Sequence, residues 1–301
     1  MSDAGAQPAT PALEIVEVGA QALVQDLGRD GFAGVGVTRS GAADREALRL
    51  ANRLVANAEN SAGIEILLGG LTLTALQPVT VALTGAVAAV TVDGRGAGVG
   101  APVRVQAGAR VSIGVPETGL RTYLAVRGGI SVGEVLGSRA TDTLAELGPA
   151  PLRAGDRLPV GPPPLAQPVI DLAPVTALPS GEVVLQAVPG PRDDWLDGGL
   201  AALAAAQWTV SDRGDRVGLR LSGAPLSRSE AYEGVEAPTE GMLRGAVQVP
   251  PGGEPVLMLA DHPVTGGYPV VAVVVDADCD RAAQLRPGQR VRLRLLPRPR
   301  W

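Results

Sequence analysis

Residues 239–269 read TEGMLRGAVQVPPGGEPVLMLADHPVTGGYP. VLMLA (256–260) has the composition of a buried strand, and VVAVVV (270–275) that of the next one. DHPVTGGYP is then the loop between them, turning at Gly266-Gly267. The stretch sets Glu240, Gln248, Asp261, Thr265 and Tyr268 among short apolar runs and glycines. Polar groups on a loop held between two buried strands are a common way to build a binding site. A tight turn with its polar groups in water is the plainer alternative.

The same short-strand pattern extends outward through the chain. Its 301 residues suffice for two domains, each with its own core. Hydrophobic content is 46% but aromatics are only 2%, so the core must be built from Val, Leu, Ile and Ala. That balance, with 40 Gly and 26 Pro, favours many short strands and turns over long helices. Leu13–Val18 reads as the first strand. Asp44–Asn57 reads as a helix, with Asp44 as cap and Ala47, Leu48, Ala51, Leu54 and Val55 on one face. Strands follow at 64–68, 71–75, 79–83, 87–92, 103–105, 110–113 and 122–126, with Asp93-Gly94 as a hairpin turn. Residues 1–11 look disordered. Residues 12–158 form a first β-rich half, and the Pro-rich, nearly uncharged 159–180 is a linker or a long extended crossover. Residues 181–301 form a second half, with a helix at Asp193–Gln207 and short strands after it. The alternation at Arg290–Leu295 suggests an edge strand with its arginines on the wet face. The fold class is mainly β, with two related barrels and few short helices.

Composition also removes whole classes of chemistry. All 26 basic residues are arginine, so Schiff-base, lysyl-nucleophile and biotinyl-lysine roles are closed. A net charge of −5 argues against nonspecific nucleic-acid binding. One cysteine, Cys279, permits no internal disulfide, and with one histidine a zinc-type site is excluded, so no metal is expected. MSDAGAQPATP lacks the features of a signal peptide, and VTVALTGAVAAVTV (79–92) is too short and turn-like to span a bilayer, so a cytoplasmic protein is expected. No phosphate loop is present, and GRGAGVG (94–100) follows a hairpin signal and reads as a flexible loop. His262 adjoins Asp261, but neighbours in an extended chain point to opposite faces, so the two are not a dyad.

Carboxylates, amides and arginines remain. Asp26 and Arg29 flank Gly28, and a buried pair between them would depress the Asp pKa or simply lock the loop. Ser40 and Asp44 straddle the helix start, where at least one is a cap. Glu65 lies inside the apolar run IEILL and must find a polar partner, for which Arg216 is a candidate; Arg216 could equally anchor an anionic substrate. Asp26, Glu240 and Asp261 are the candidate catalytic carboxylates. Gln25, Arg29, Ser40, Asp44, Glu65, Arg216, Gln248, Thr265, Gly266, Gly267 and Tyr268 are the candidate substrate contacts. Backbone N–H groups at Gly266 and Gly267 suit an oxyanion, since glycine lets a substrate approach the chain. Such a set suits chemistry at an amide or a carboxylate. The expectation is one pocket near the paired glycines.

Eight blocks in order carry a resemblance: QDLGRDGF (25–32), SGAADREALRLANRLVAN (40–57), IEILLGG (64–70), TGA (84–86), YLAVRGGI (123–130), LGSRATDT (136–143), SDRGDRVGLRL (211–221) and AQLRPGQRVR (283–292). With residues 239–269, the chain resembles the family of the 5-oxoprolinase C component, KipA and allophanate hydrolase subunit 2, which also forms part of the carboxyltransferase region of urea carboxylases. The resemblance implies two cyclophilin-like β-barrel subdomains. It implies ATP-dependent opening of 5-oxo-L-proline to L-glutamate, with ATP bound with or by a partner. The implied partners are the KipI-like B component and the LamB/YcsF-like A component of the same enzyme. Two alternatives stay open. One is a KipA-type regulator that binds a KipI-like inhibitor of a sporulation histidine kinase. The other is a carboxyltransferase half that uses biotin carried by another protein. No biotin carboxylase or biotin-carrier segment lies in these residues, which favours a free-standing component. The sequence departs from the family pattern twice: HPVTGGYP stands where a Gln-Thr pair precedes TGGYP, and PTEG replaces Ser-Glu-Gly. If that Gln contacts substrate, Pro263 cannot replace it.

Overall fold

The computed structural model describes residues 10–174 and 178–297. The protein is mainly β, with three short α-helices among these residues. In the first half a six-stranded sheet and a five-stranded sheet enclose one core. Leu13, Ile15, Leu71, Leu73, Val111 and Ile113 come from the first sheet, and Val24, Ile64, Ile66, Leu83, Leu124 and Val126 from the second. These are the aliphatic residues that the composition demanded. The first strand begins at Pro11, so the expected disordered segment is shorter by at least its last residues; residues 1–9 lie outside the described set. Asp93 and Gly94 both take positive φ, 49° and 75°, and join Val90–Val92 to Arg95–Ala97, the geometry that a two-residue hairpin requires.

The helix α1 (Arg45–Leu54) runs as its apolar spacing predicted, and the Asp44 side chain accepts from the Ala47 N–H as its cap. It lies on the outer face of the five-stranded sheet, with Leu48 against Tyr123, and with Ala51, Leu54 and Val55 against Ala82 and Ala125. The Pro-rich segment is fastened to the first half at its start. Val160 bridges to Ile130, and Arg127 donates to the Pro164 and Ala166 carbonyls. Part of its remainder, residues 175–177, falls outside the described set.

The second half is a closed barrel of seven strands. Arg290–Leu295 is not an edge. It pairs in parallel with Val183–Pro189 and antiparallel with Trp208–Val210, and so seals the barrel. Its arginines do face water while Val291 and Leu293 are buried, because a barrel strand still has a wet face. The expected helix over 193–207 is broken. Asp193–Trp195 is a 3-10 turn and α2 is Gly199–Ala205, because Gly198 and Gly199 both take positive φ. A further helix, α3 (Asp276–Ala282), was hidden by the apolar run before it.

Candidate functional site

The candidate residues fall in two places, not in one pocket. The first is a buried polar seam where the halves meet. Glu65 sits in the strand Gly63–Leu67, where Ile64 and Ile66 face the core and Glu65 faces the opposite way. Tyr123 stands directly across from it and donates to Glu65 Oε2 at 2.7 Å. The Ala43 N–H donates to the same oxygen at 2.9 Å. Glu65 Oε1 pairs with Arg216 and, at 3.4 Å, with Arg121. Arg216 reaches across from the second half. Its Nε and Nη2 donate to the two oxygens of Asp261 at 2.8 and 3.0 Å, and Nη2 also donates to the Gly41 carbonyl at 2.6 Å. Arg216 and Asp261 meet because their backbones extend a strand pair: the Asp261 N–H donates to the Arg216 carbonyl, just beyond Gly218–Ser222 and Val256–Met258.

Asp261 also accepts from Ser40 Oγ at 2.6 Å and from the Thr143 N–H and hydroxyl at 2.9 and 2.8 Å. Burial alone would raise its pKa, but the Arg216 charge and these donors hold the carboxyl below its ordinary value. Glu65 is lowered the same way, with Arg216 and Arg121 overriding desolvation. Both carboxylates have their lone pairs filled by protein donors. Their ion pairs and hydrogen bonds span the two halves.

Asp44 joins the seam through Gln284, whose Nε2 donates to Asp44 Oδ2 at 2.7 Å. Its pKa is raised to about 6, chiefly by burial. Ser40 is not a helix cap; with φ 54° it swings toward Asp261. Gln25 attaches through the Thr141 carbonyl, which accepts from its Nε2 at 2.7 Å. Asp26 and Arg29 do not pair. Asp26 accepts from the Gly28 and Arg139 N–H groups and from Ser138 Oγ, while Arg29 donates to the Ala140 carbonyl and lies 3.6 Å from Asp142. The loop 136–143 therefore binds each of them separately. Its polar residues, with Tyr123, Arg121 and Gln284, were missed by sequence reasoning. Only the buried charge at Glu65 signalled that several donors must converge there. His262 and Asp261 are no dyad, since His262 Nδ1 meets the Pro263 carbonyl at 2.8 Å.

The second place is on the barrel. Thr265–Gly266 pairs with Glu240–Gly241 as a two-stranded ladder. Neither Gly266 nor Gly267 takes a positive φ; Gly266 ends the short strand and the chain bends at Gly267 and Tyr268, one residue later than expected. Gly266 is glycine for space: a Cβ there would lie 2.4 Å from Met242 and 2.7 Å from the Gln248 amide. Gln248 is buried and donates to the Tyr268 carbonyl at 3.0 Å, which fixes the loop from beneath. Glu240 pairs with Arg192 at a partly open position. Gly267 and Tyr268 line a cavity of about 1080 Å³, with Asp197, Arg228, Glu230 and Thr239 on its other walls. Beside it Trp195 stacks on Tyr232, ring centroids 4.4 Å apart, and Arg192 and Arg228 lie 5.9 and 5.4 Å from the Trp195 ring centre. A smaller cavity of about 530 Å³ lies along the seam at Arg121, Thr143 and Arg216, but the Arg216 N–H groups there are already engaged. Among the described residues no group of three or more His, Cys, Asp or Glu has the placement of a metal site, and no helix is long and apolar enough to cross a membrane.

Residues 35–295 match the family described as carboxyltransferase domain, subdomain A and B. The chain is 37% identical to the C component of 5-oxoprolinase from Escherichia coli K12, over 93% of this chain and 89% of that one. It is 34% identical to the same component from Haemophilus influenzae, over 93% and 90%. It is 31% identical to urea amidolyase of Lachancea kluyveri, over 93% of this chain but 17% of that protein. The crystal structure of Kluyveromyces lactis urea amidolyase superposes with a TM-score of 0.89 at 29% identity, covering 96% of this chain and 19% of that one. With the family matched from the first loop to the strand that seals the barrel, the chain belongs to the carboxyltransferase domain, subdomain A and B, family.

Proposed function

We propose that this chain is the C component of an ATP-dependent 5-oxoprolinase, which opens 5-oxo-L-proline to L-glutamate together with a KipI-like B component and a LamB/YcsF-like A component in the cytoplasm. The observation that carries this reading is the extent of the likeness. It runs through nearly the whole of both chains for the 5-oxoprolinase component, but through a small part of urea amidolyase.

The barrel cavity is the site we assign. Ring opening adds water across the lactam C–N bond, the oxygen going to the carbonyl carbon and a proton to the nitrogen. Glu240, next to the cavity-lining Thr239, paired with the Gly266 strand and held by Arg192, is the carboxylate we assign to take a proton from that water. Gly267, exposed and lining the cavity, offers its backbone to the carbonyl oxygen. Asp261 is assigned no part in the chemistry because both its oxygens are filled by protein donors, and Asp26 none because it is buried away from this cavity and held by Gly28, Ser138 and Arg139. ATP does not fit this chain's cavity. Asp197, Glu230, Glu233 and Glu236 line it and would repel a triphosphate, so nucleotide binding is assigned to a partner protein.

The test is to mix the three purified component proteins and follow glutamate formation from 5-oxoproline with ATP. Turnover that needs this chain supports the reading, and full turnover without it removes the assignment. The likeness to a urea amidolyase structure favours one second reading, transfer of a carboxyl group from biotin borne by another protein. That reading requires inhibition by avidin, which the oxoprolinase reading does not.

A further inference from the structure

We propose that Arg228 is the carboxylate anchor of the barrel cavity, a substrate-binding residue that selects small lactams bearing a single acid group; the assignment rests on the oxoprolinase reading above. Such a substrate offers one carboxylate, and a planar guanidinium is the side chain best shaped to hold it with two parallel hydrogen bonds. Most buried arginines of this protein are engaged elsewhere. Arg216 holds Asp261, Glu65 and the Gly41 carbonyl. Arg244 holds Asp276, Asp280 and the Ala43 carbonyl. Arg29 is closed in by Ala140 and Asp142, and Arg192 pairs with Glu240. Arg228 is the arginine in the wall that Gly267 and Tyr268 share.

Its surroundings prepare it for that task. The guanidinium carbon lies 5.4 Å from the centre of the Trp195 ring, and Nη1 donates to the Val235 carbonyl. Trp195 is itself clamped, stacked on Tyr232 with an interplanar angle of 8°, and Tyr232 donates to Asp194 at 2.7 Å. An arginine whose face lies against an indole keeps its N–H edge for a ligand and gives up little rotamer entropy on binding. Arg228 Nε is buried with no acceptor among the described residues, and so is Trp195 Nε1. Of the two, Arg228 belongs to the cavity wall, and its unsatisfied Nε is a donor that an entering carboxylate would meet. The rim adds selectivity. Glu230, Glu233, Glu236 and Asp197 repel every anion, so a carboxylate is held only where Arg228 pairs with it directly, and the further charge of a dicarboxylate or phosphate is disfavoured. The cavity far exceeds a five-membered lactam in volume, so placement must come from directional contacts such as this one and not from close fit.

The test uses the assembled complex with its partner proteins. Arg228→Gln is expected to raise the KM for 5-oxoproline by about tenfold or more while kcat changes little, because a uniform binding contact is lost. Arg228→Lys, which keeps the charge without the fork, should recover part of that loss. Near-UV circular dichroism checks that the Trp195–Tyr232 stack survives. A KM for Arg228→Gln within about twofold of the parent overturns the assignment but leaves the oxoprolinase reading intact. If the parent complex opens no 5-oxoproline, that reading falls, and calorimetry decides the anchor alone. Binding of 5-oxoproline over 2-pyrrolidinone that depends on Arg228 supports it, and no such preference ends it.

Discussion

Arg216 and Asp261 face each other in a two-pronged ion pair, Nε to Oδ2 at 2.8 Å and Nη2 to Oδ1 at 3.0 Å, inside the seam that joins the two halves. Because Arg216 also holds Glu65, one residue of the barrel ties together a strand and a helix entrance of the first half.

Removing Asp261 leaves a buried guanidinium short of charge. Asp261→Ala is expected to cost about 3 kcal/mol, the low end for breaking a buried pair, because Glu65 still compensates in part. Urea unfolding of the purified variant checks this. A midpoint like that of the parent would show that the seam does not hold the halves together.

The pH dependence has two arms of opposite sign. Asp44, raised to about 6, binds its proton more readily folded than unfolded. Stability therefore rises as pH falls from above 6 toward the ordinary carboxylate value, by up to about 3 kcal/mol. Glu65 and Asp261, both lowered, act the other way: their contribution is present above the unfolded value near 4 and is lost as pH falls through their folded values. Denaturation midpoints across this range should show a maximum between the arms. Asp44→Asn should flatten the upper arm alone.

Cys279 is fully buried on α3, and burial pushes its thiol up to about 12. A neutral, covered thiol is a poor nucleophile. The native protein is expected to resist Ellman's reagent at neutral pH and to release one thiol on unfolding. Fast labelling of the folded protein would contradict the packing of this helix.

Gly267 separates stability from site access. Among the described residues a methyl group there meets no atom within 4 Å beyond its two chain neighbours, so Gly267→Ala should change stability by less than about 0.5 kcal/mol. If a substrate approaches the chain at this point, the same change, and more so Gly267→Val, should lower kcat/KM in the assembled complex. Unchanged kinetics for both would move the site elsewhere.

Periodic, local features could be read from residues alone. The cap at Asp44, the apolar face of α1 and the hairpin at Asp93-Gly94 each follow from a few neighbouring side chains. The demand for a partner at Glu65 was also legible, and Arg216 meets it. What sequence could not supply was distance between remote segments. Nothing near Asp26 indicates that Ser138 and Arg139 satisfy it in place of Arg29. Nothing near Asp261 shows that Ser40 and Thr143 close around it. The break at Gly198-Gly199 was hidden because the Ala-Leu run after it carries helical propensity right up to the glycines. Arg290–Leu295 looked like an edge because a strand closing a barrel has the same alternation as one at a border.

That closing strand also governs how the molecule comes into being. Val183–Pro189 emerges from the ribosome about a hundred residues ahead of its parallel neighbour, and until residue 295 is free of the exit tunnel its flank is an unpaired ribbon of Val, Leu and Ala. Parallel pairing over such a span is slow to form. Synthesis of this half thus leaves the cylinder open on one side until its last strand arrives.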